Sequence, residues 1–180
     1  MMEICVTESI LTYRGTVYPW QCDHMGHMNV MWYVAKFDEA CWQLLSGIGI
    51  SGSRMRTGRV GMAAVEQRIE YKQEVFAGDV LSIRSKVLEV REKSVRMQHE
   101  MTNDETDELT ARMEVVGVHL DFSTRKACPF PADLRARISA MAVDEQTPCL
   151  NTLAETNVAH TAEDECGRDI RLPRAQDFVR

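Results

Sequence analysis

The densest run of chemically capable side chains is Cys22-Asp23-His24-Met25-Gly26-His27-Met28-Asn29. Asp23 is the residue on which chemistry can be built, because an aspartate with an unperturbed pKa near ~3.9 is ionised at neutral pH. Its carboxylate can attack an activated carbonyl to give a mixed anhydride. It can instead take a proton from water as general base. His27 could orient that water, bind a carbonyl or adjust Asp23. Asn29 could touch substrate or water. Gly26 allows a tight turn or a close approach. Each has an ordinary alternative: Asp23 can hydrogen-bond loop backbone as an Asx residue, His27 can pack a chain turn, and Asn29 can simply cap a helix. His24 and Cys22 need no chemical role.

The element that must position these groups follows directly. From Val30 to Ser46, apolar residues recur at helical spacing at Val30, Val34, Phe37, Cys41 and Leu44. Trp32, Tyr33, Trp42 and Leu45 widen that stripe, so the helix should be largely enclosed. Asn29 stands at its N-cap position. The first backbone N–H groups, Val30's among them, lack intrahelical partners and sit at the positive end of the helix dipole. A carbonyl placed there is stabilised as its oxygen becomes negative, by ~3 kcal/mol per donor in comparable sites.

Around this helix the chain reads as strands. Leu11 to Tyr18 is β-branched and aromatic, and Pro19 ends it. Ala63 to Tyr71 alternates, with Val65 and Ile69 opposing Glu66, Arg68 and Glu70. Ala77-Gly78-Asp79 is a turn. Strands then span Val80 to Val90, Ser94 to Thr102 and Leu109 to Leu120. The last changes apolar phase between Val115 and Val116, which predicts a bulge there or burial on both faces. Asp133 to Met141 reads as a short helix. The expected class is α+β, a long antiparallel sheet wrapped around one central helix.

Composition narrows the functions. The 180-residue chain suits one domain, placed at 1–142, with an acidic tail at 143–180 that carries eight acids against four arginines. A net charge of -6 argues against a nucleic-acid partner. No apolar run approaches the roughly 20 residues of a membrane span, and no basic leader precedes the first strand. Six widely spaced cysteines without that leader read as free thiols in a reducing compartment. The expectation is a soluble, cytoplasmic protein.

The run Val17 to Tyr33 resembles the active-site signature of the 4-hydroxybenzoyl-CoA thioesterase-like hot-dog enzymes. Asp23, Gly26 and Tyr33 match that pattern, while His27 and Asn29 match the His-x-Asn run of the plant acyl-ACP thioesterases. Gly78-Asp79 followed by alternating strands matches too. The resemblance spans about residues 10 to 140. It implies a hot-dog fold, hydrolysis of an acyl-CoA, no cofactor beyond the CoA of the substrate, and a homodimer or homotetramer with its site at the subunit boundary. The signature is also similar to that of betainyl-CoA thioesterases of carnitine degradation, whose acyl group ends in a quaternary ammonium. Aromatic faces attract such cations, and Trp20, Trp32 and Trp42 are candidates for this. A hot-dog enoyl-CoA dehydratase and a non-catalytic acyl-CoA-binding module are the alternatives.

Other motifs carry less. Cys22, Asp23, His24 and His27 are too local for a tetrahedral metal site. Gly47-Ile48-Gly49-Ile50-Ser51-Gly52 spells GxGxxG, but it follows a helix and no helix is expected to open after it, so a dinucleotide site is not expected. Arg54, Arg56 and Arg59 are placed in the loop beyond, where they could hold CoA phosphates. His99 and His119 read as core histidines, and the eleven methionines as adaptable filler.

Overall fold

The computed structural model describes residues 9–142. The expected acidic tail at 143–180 lies outside the described residues. Strand β1 (Ile10–Thr16) runs through a 3-10 turn (Pro19–Gln21) and a short hairpin loop into helix α1 (Val30–Gly47). Helix α2 (Gly52–Gly58) and strands β2 (Val60–Tyr71), β3 (Val80–Val90), β4 (Ser94–Asn103) and β5 (Leu109–Asp121) follow. A two-residue strand β6 (Lys126–Ala127) and helix α3 (Ala132–Ser139) complete the described chain.

The sheet order is β1-β3-β4-β5-β2, antiparallel throughout. Because β1 and β2 are opposite edges, α1 must cross the sheet to connect them, and it packs on β1, β3 and β4. Alternation supplies the inner face. Rows such as Ile83-Met101-Ala111 and Val87-Met97-Val115 lie side by side across β3, β4 and β5. Their side chains are buried with Phe37, Ala40 and Leu44 of α1. Phe37 is wholly inaccessible, so Phe37→Ala should cost ~3–5 kcal/mol, measurable by urea unfolding. The outer face carries charge of alternating sign: Arg84, Glu100, Arg112 and Glu70 occupy one cross-strand row, and Arg112 Nε donates to Glu100 Oε1 at 2.9 Å.

The fold is the expected α+β sheet around a central helix, with four differences. The buried stripe of α1 runs through Tyr33, Lys36, Phe37, Ala40, Leu44 and Leu45, leaving Val30, Val34 and Trp42 exposed. Among the described residues the helix is therefore not enclosed, because one sheet covers only one side of it. The irregularity expected in β5 lies opposite, in β2, whose register shifts between Ala64 and Glu66. Val65 is the extra residue, and its exposure reflects that. A helix does open after Gly47-Ile48-Gly49-Ile50-Ser51-Gly52: Ser51 caps α2 by accepting the Arg54 N–H. Arg54 and Arg56 accordingly lie on α2 and Arg59 at its left-handed C-cap, not in an open loop. With helix α1 rather than a strand before it, the motif still lacks a dinucleotide-binding setting. Among the described residues no helix is long and apolar enough to cross a membrane.

Candidate active site

A hairpin loop delivers Asp23 to the start of α1. Cys22 and Met28 form an antiparallel bridge. Inside it, the Asp23 N–H donates to His27 O at 3.1 Å and the Gly26 N–H to Asp23 O at 3.0 Å. Gly26 has φ +89°, a value that L side chains rarely adopt, so the turn depends on glycine. Gln21, buried before the loop, ties both of its ends. Its Oε1 accepts the Tyr18 N–H, and its carbonyl accepts the Asn29 N–H. Sequence reasoning missed Gln21, since a glutamine after an aromatic carries no local signal of burial.

Both carboxylate oxygens of Asp23 are held. Oδ1 accepts the Met25 N–H at 2.9 Å, the Asx contact, and Oδ2 accepts Asn29 Nδ2 at 3.1 Å. The Met25 hydrogen bond holds the Asp23 carboxyl below its ordinary pKa. Partial burial opposes this, while the Asn29 amide and the His27 and His24 imidazoles reinforce it. Asn29 uses its other amide atom as the helix cap, Oδ1 accepting the Met31 N–H at 3.0 Å. The Trp32 N–H goes to Asn29 O. Among the described residues, that leaves the Val30 N–H without a hydrogen-bond partner, pointed by the helix geometry toward the N-terminal side. Of the donor cluster expected from the sequence, the Met31 and Trp32 N–H groups are thus taken up by Asn29.

A second segment borders this end of the helix. The Met28 N–H donates to Val75 O at 2.6 Å, which brings the stretch after β2 against the loop. Asp79 Oδ2 accepts the Phe76 N–H, closing the turn at Gly78. Glu74 then lies with Oε1 3.8 Å from His27 Nε2. Between them opens a cleft of about 230 Å³, bounded by His27, Val30, Tyr33, Tyr71 and Glu74. Tyr33 is buried and its hydroxyl donates to Gln73 O at 3.3 Å. Burial pushes its pKa up to about 12, so it stays a neutral donor. Glu74, Tyr71 and Gln73 were not singled out in the sequence. They reach the loop across the chain, and only the neighbouring Gly78-Asp79 turn hinted at that fold-back.

The remaining candidates sit elsewhere. Trp32 packs against the core, Trp20 stacks on Tyr18 at 4.4 Å in the open, and Trp42 donates to Asp38. Trp42 is about 18 Å along the helix from Val30, so the three tryptophans do not surround one point. Arg54 is paired with Asp133 of α3 at 3.1 Å. Arg54, Arg56 and Arg59 do not line the cleft. His24 is exposed. His99 and His119 are buried: His99 Nδ1 pairs with Ser85 Oγ at 2.6 Å, and His119 Nδ1 lies 3.1 Å from Pro129 O.

A curled antiparallel sheet packed on one central helix is the hot-dog fold, and the class of protein is an acyl-CoA thioesterase, a hydrolase. Residues 17–138 match the thioesterase-like superfamily, and the chain belongs to that family. It is similar to a betainyl-CoA thioesterase of Pseudomonas aeruginosa, 23% identical over 168 residues, 93% of this chain and 98% of that protein. Its fold is similar to that of a Staphylococcus aureus protein solved in complex with CoA. The TM-score is 0.71 at 20% identity, covering 85% of this chain and 97% of the other. It is also similar to a 1,4-dihydroxy-2-naphthoyl-CoA thioesterase of Synechocystis, with TM-score 0.64 at 22% identity over 77% of this chain and 98% of the other.

Proposed function

We propose that this chain hydrolyses an acyl-CoA to the free acid and CoA with Asp23 as the reacting carboxylate. One observation carries the reading: Asn29 joins that carboxylate to the N-terminus of α1, bonding Asp23 Oδ2 through one amide atom and capping the helix through the other. The thioester carbonyl then sits before the Val30 N–H, which takes up charge as the oxygen becomes negative. An Asp23 oxygen attacks the carbonyl carbon, the C–S bond breaks, and CoA leaves as a thiolate that takes a proton from solvent. Water, oriented by His27, cleaves the mixed anhydride to release the acid and restore the carboxylate. The same carboxylate can instead take a proton from a water that attacks the thioester directly, the general-base alternative.

The relative from Pseudomonas aeruginosa supports betainyl-CoA as the acyl-CoA used. The long β2 edge and the exposed side of α1 support a homodimer or homotetramer that closes the cleft at a subunit boundary. The test is free-thiol release from a panel of betainyl-CoA, acetyl-CoA and an aromatic acyl-CoA. Thiol release with acid product is expected. Tight binding without release indicates a binding module, and hydration of an enoyl-CoA without thiol release indicates a dehydratase; either overturns the reading.

A further inference from the structure

Glu74 has no part in the reaction just described; it faces the cleft that His27 and Val30 border and that Asp23 and Asn29 do not themselves line. Its side chain is 67% exposed, and His27 at 3.8 Å is too distant for a hydrogen bond. Some surface carboxylates are closely engaged, Glu70 by Lys72 at 2.8 Å, Glu89 by Arg91 at 2.7 Å and Asp133 by Arg54 at 3.1 Å. Others such as Glu39, Glu66 and Glu114 are unpaired among the described residues; what distinguishes Glu74 is its place on the cleft. Lys72, also on the cleft wall, is therefore already committed to Glu70. The cleft retains a carboxylate with no tight partner among the described residues.

Two aromatic rings stand beside it. Tyr33 and Tyr71 meet edge to face, with centroids 5.2 Å apart and planes at 81°. Tyr71 is half exposed. Tyr33 is buried, so Tyr71 is the accessible ring, and an aromatic face and a carboxylate together attract a poorly hydrated cation. The neighbouring Met28 and Val30 offer apolar contact to methyl groups. Val30 borders the cleft, and the proposed function sets the thioester carbonyl before its N–H, so an acyl group one methylene long is taken to extend from that carbonyl toward Glu74.

We propose that Glu74 is a specificity-determining residue. It selects acyl-CoA substrates with a quaternary ammonium one carbon from the thioester over neutral acyl groups of the same shape. This rests on the thioesterase reading above. The test compares kcat/KM for betainyl-CoA and for tert-butylacetyl-CoA, in which carbon replaces the nitrogen, using the full chain and thiol release. The wild type should favour the cationic substrate by tenfold or more. In Glu74→Gln the ratio should fall about tenfold, equivalent to ~1.4 kcal/mol, and Glu74→Asp should restore part of it. Using a ratio cancels any effect of Glu74 on His27 that both substrates share. An unchanged ratio in Glu74→Gln, with thiol still released, overturns the role of Glu74 and leaves the thioesterase reading standing. A wild type that turns over the neutral isostere equally well also overturns it. Release from neither of these two substrates, with release from acetyl-CoA or an aromatic acyl-CoA, overturns the role of Glu74 alone; release from none of the acyl-CoAs overturns both.

Discussion

Asn29 performs two tasks with one amide, and substitutions can separate them. Asn29→Ala removes the cap of α1 and the donor to Asp23. It should cost ~1 kcal/mol of stability by urea unfolding and lower kcat as well. Asn29→Asp keeps an acceptor for the Met31 N–H but sets a carboxylate against Asp23 in place of an amide N–H. Its kcat should fall as far as that of Asn29→Ala while more of the stability is kept. Equal stability loss in both variants would show that the cap is not the stabilising contact. Asp23 and Asn29 were legible in the sequence because the polar run ends where helical spacing begins. Glu74 was not, since its segment is brought to the loop by contacts distant in sequence, the Met28–Val75 backbone bond among them.

At the scale of elements, the hairpin loop is as important as the helix it precedes. Gly26 at φ +89° has open space around it, so Gly26→Ala meets backbone strain rather than a clash. The expected cost is at least ~1 kcal/mol, read from urea midpoints. Because the turn sets Asp23, kcat should drop in the same variant. Unaltered stability and turnover would show that the loop tolerates another path. Element types and most boundaries followed from period and punctuation, as with β3 at Val80–Val90. The helix face did not. Lysine normally marks a solvated surface, yet Lys36 is buried, its Nζ donating to the Tyr13 hydroxyl at 2.8 Å. Val30 and Val34, which fit an apolar stripe, face outward. Hydrophobic spacing alone cannot distinguish a face buried by this chain from one left for a partner.

The whole molecule couples its stability to pH through His99. Burial lowers its pKa from 6.5 to about 4, so the folded protein keeps the neutral imidazole over that interval. The unfolded chain protonates near ~6.5 and binds more protons there. Stability must therefore fall as pH drops from about 6.5 toward 4, by up to ~1.4 kcal/mol per pH unit. His99→Asn should flatten that dependence, compared by urea midpoints at two pH values; an unchanged slope would contradict the assignment. The edge of the sheet makes a separate prediction. Strand β2 is twelve residues long and among the described residues pairs only with β5, an edge of the kind that chains pair across. Light scattering should give at least twice the 20.5 kDa of one chain. A monomer at assay concentration would contradict closure of the cleft by a second copy.

The central claim is that the Asp23 carboxylate performs the hydrolysis, and Asp23→Asn tests it most directly. The amide keeps the size of the side chain and an acceptor for the Met25 N–H but cannot attack a thioester. Thiol release from the substrate best used by the wild type should fall by ~10²–10⁴ in kcat, with the circular dichroism spectrum unchanged. Turnover within a few-fold of wild type would contradict the account.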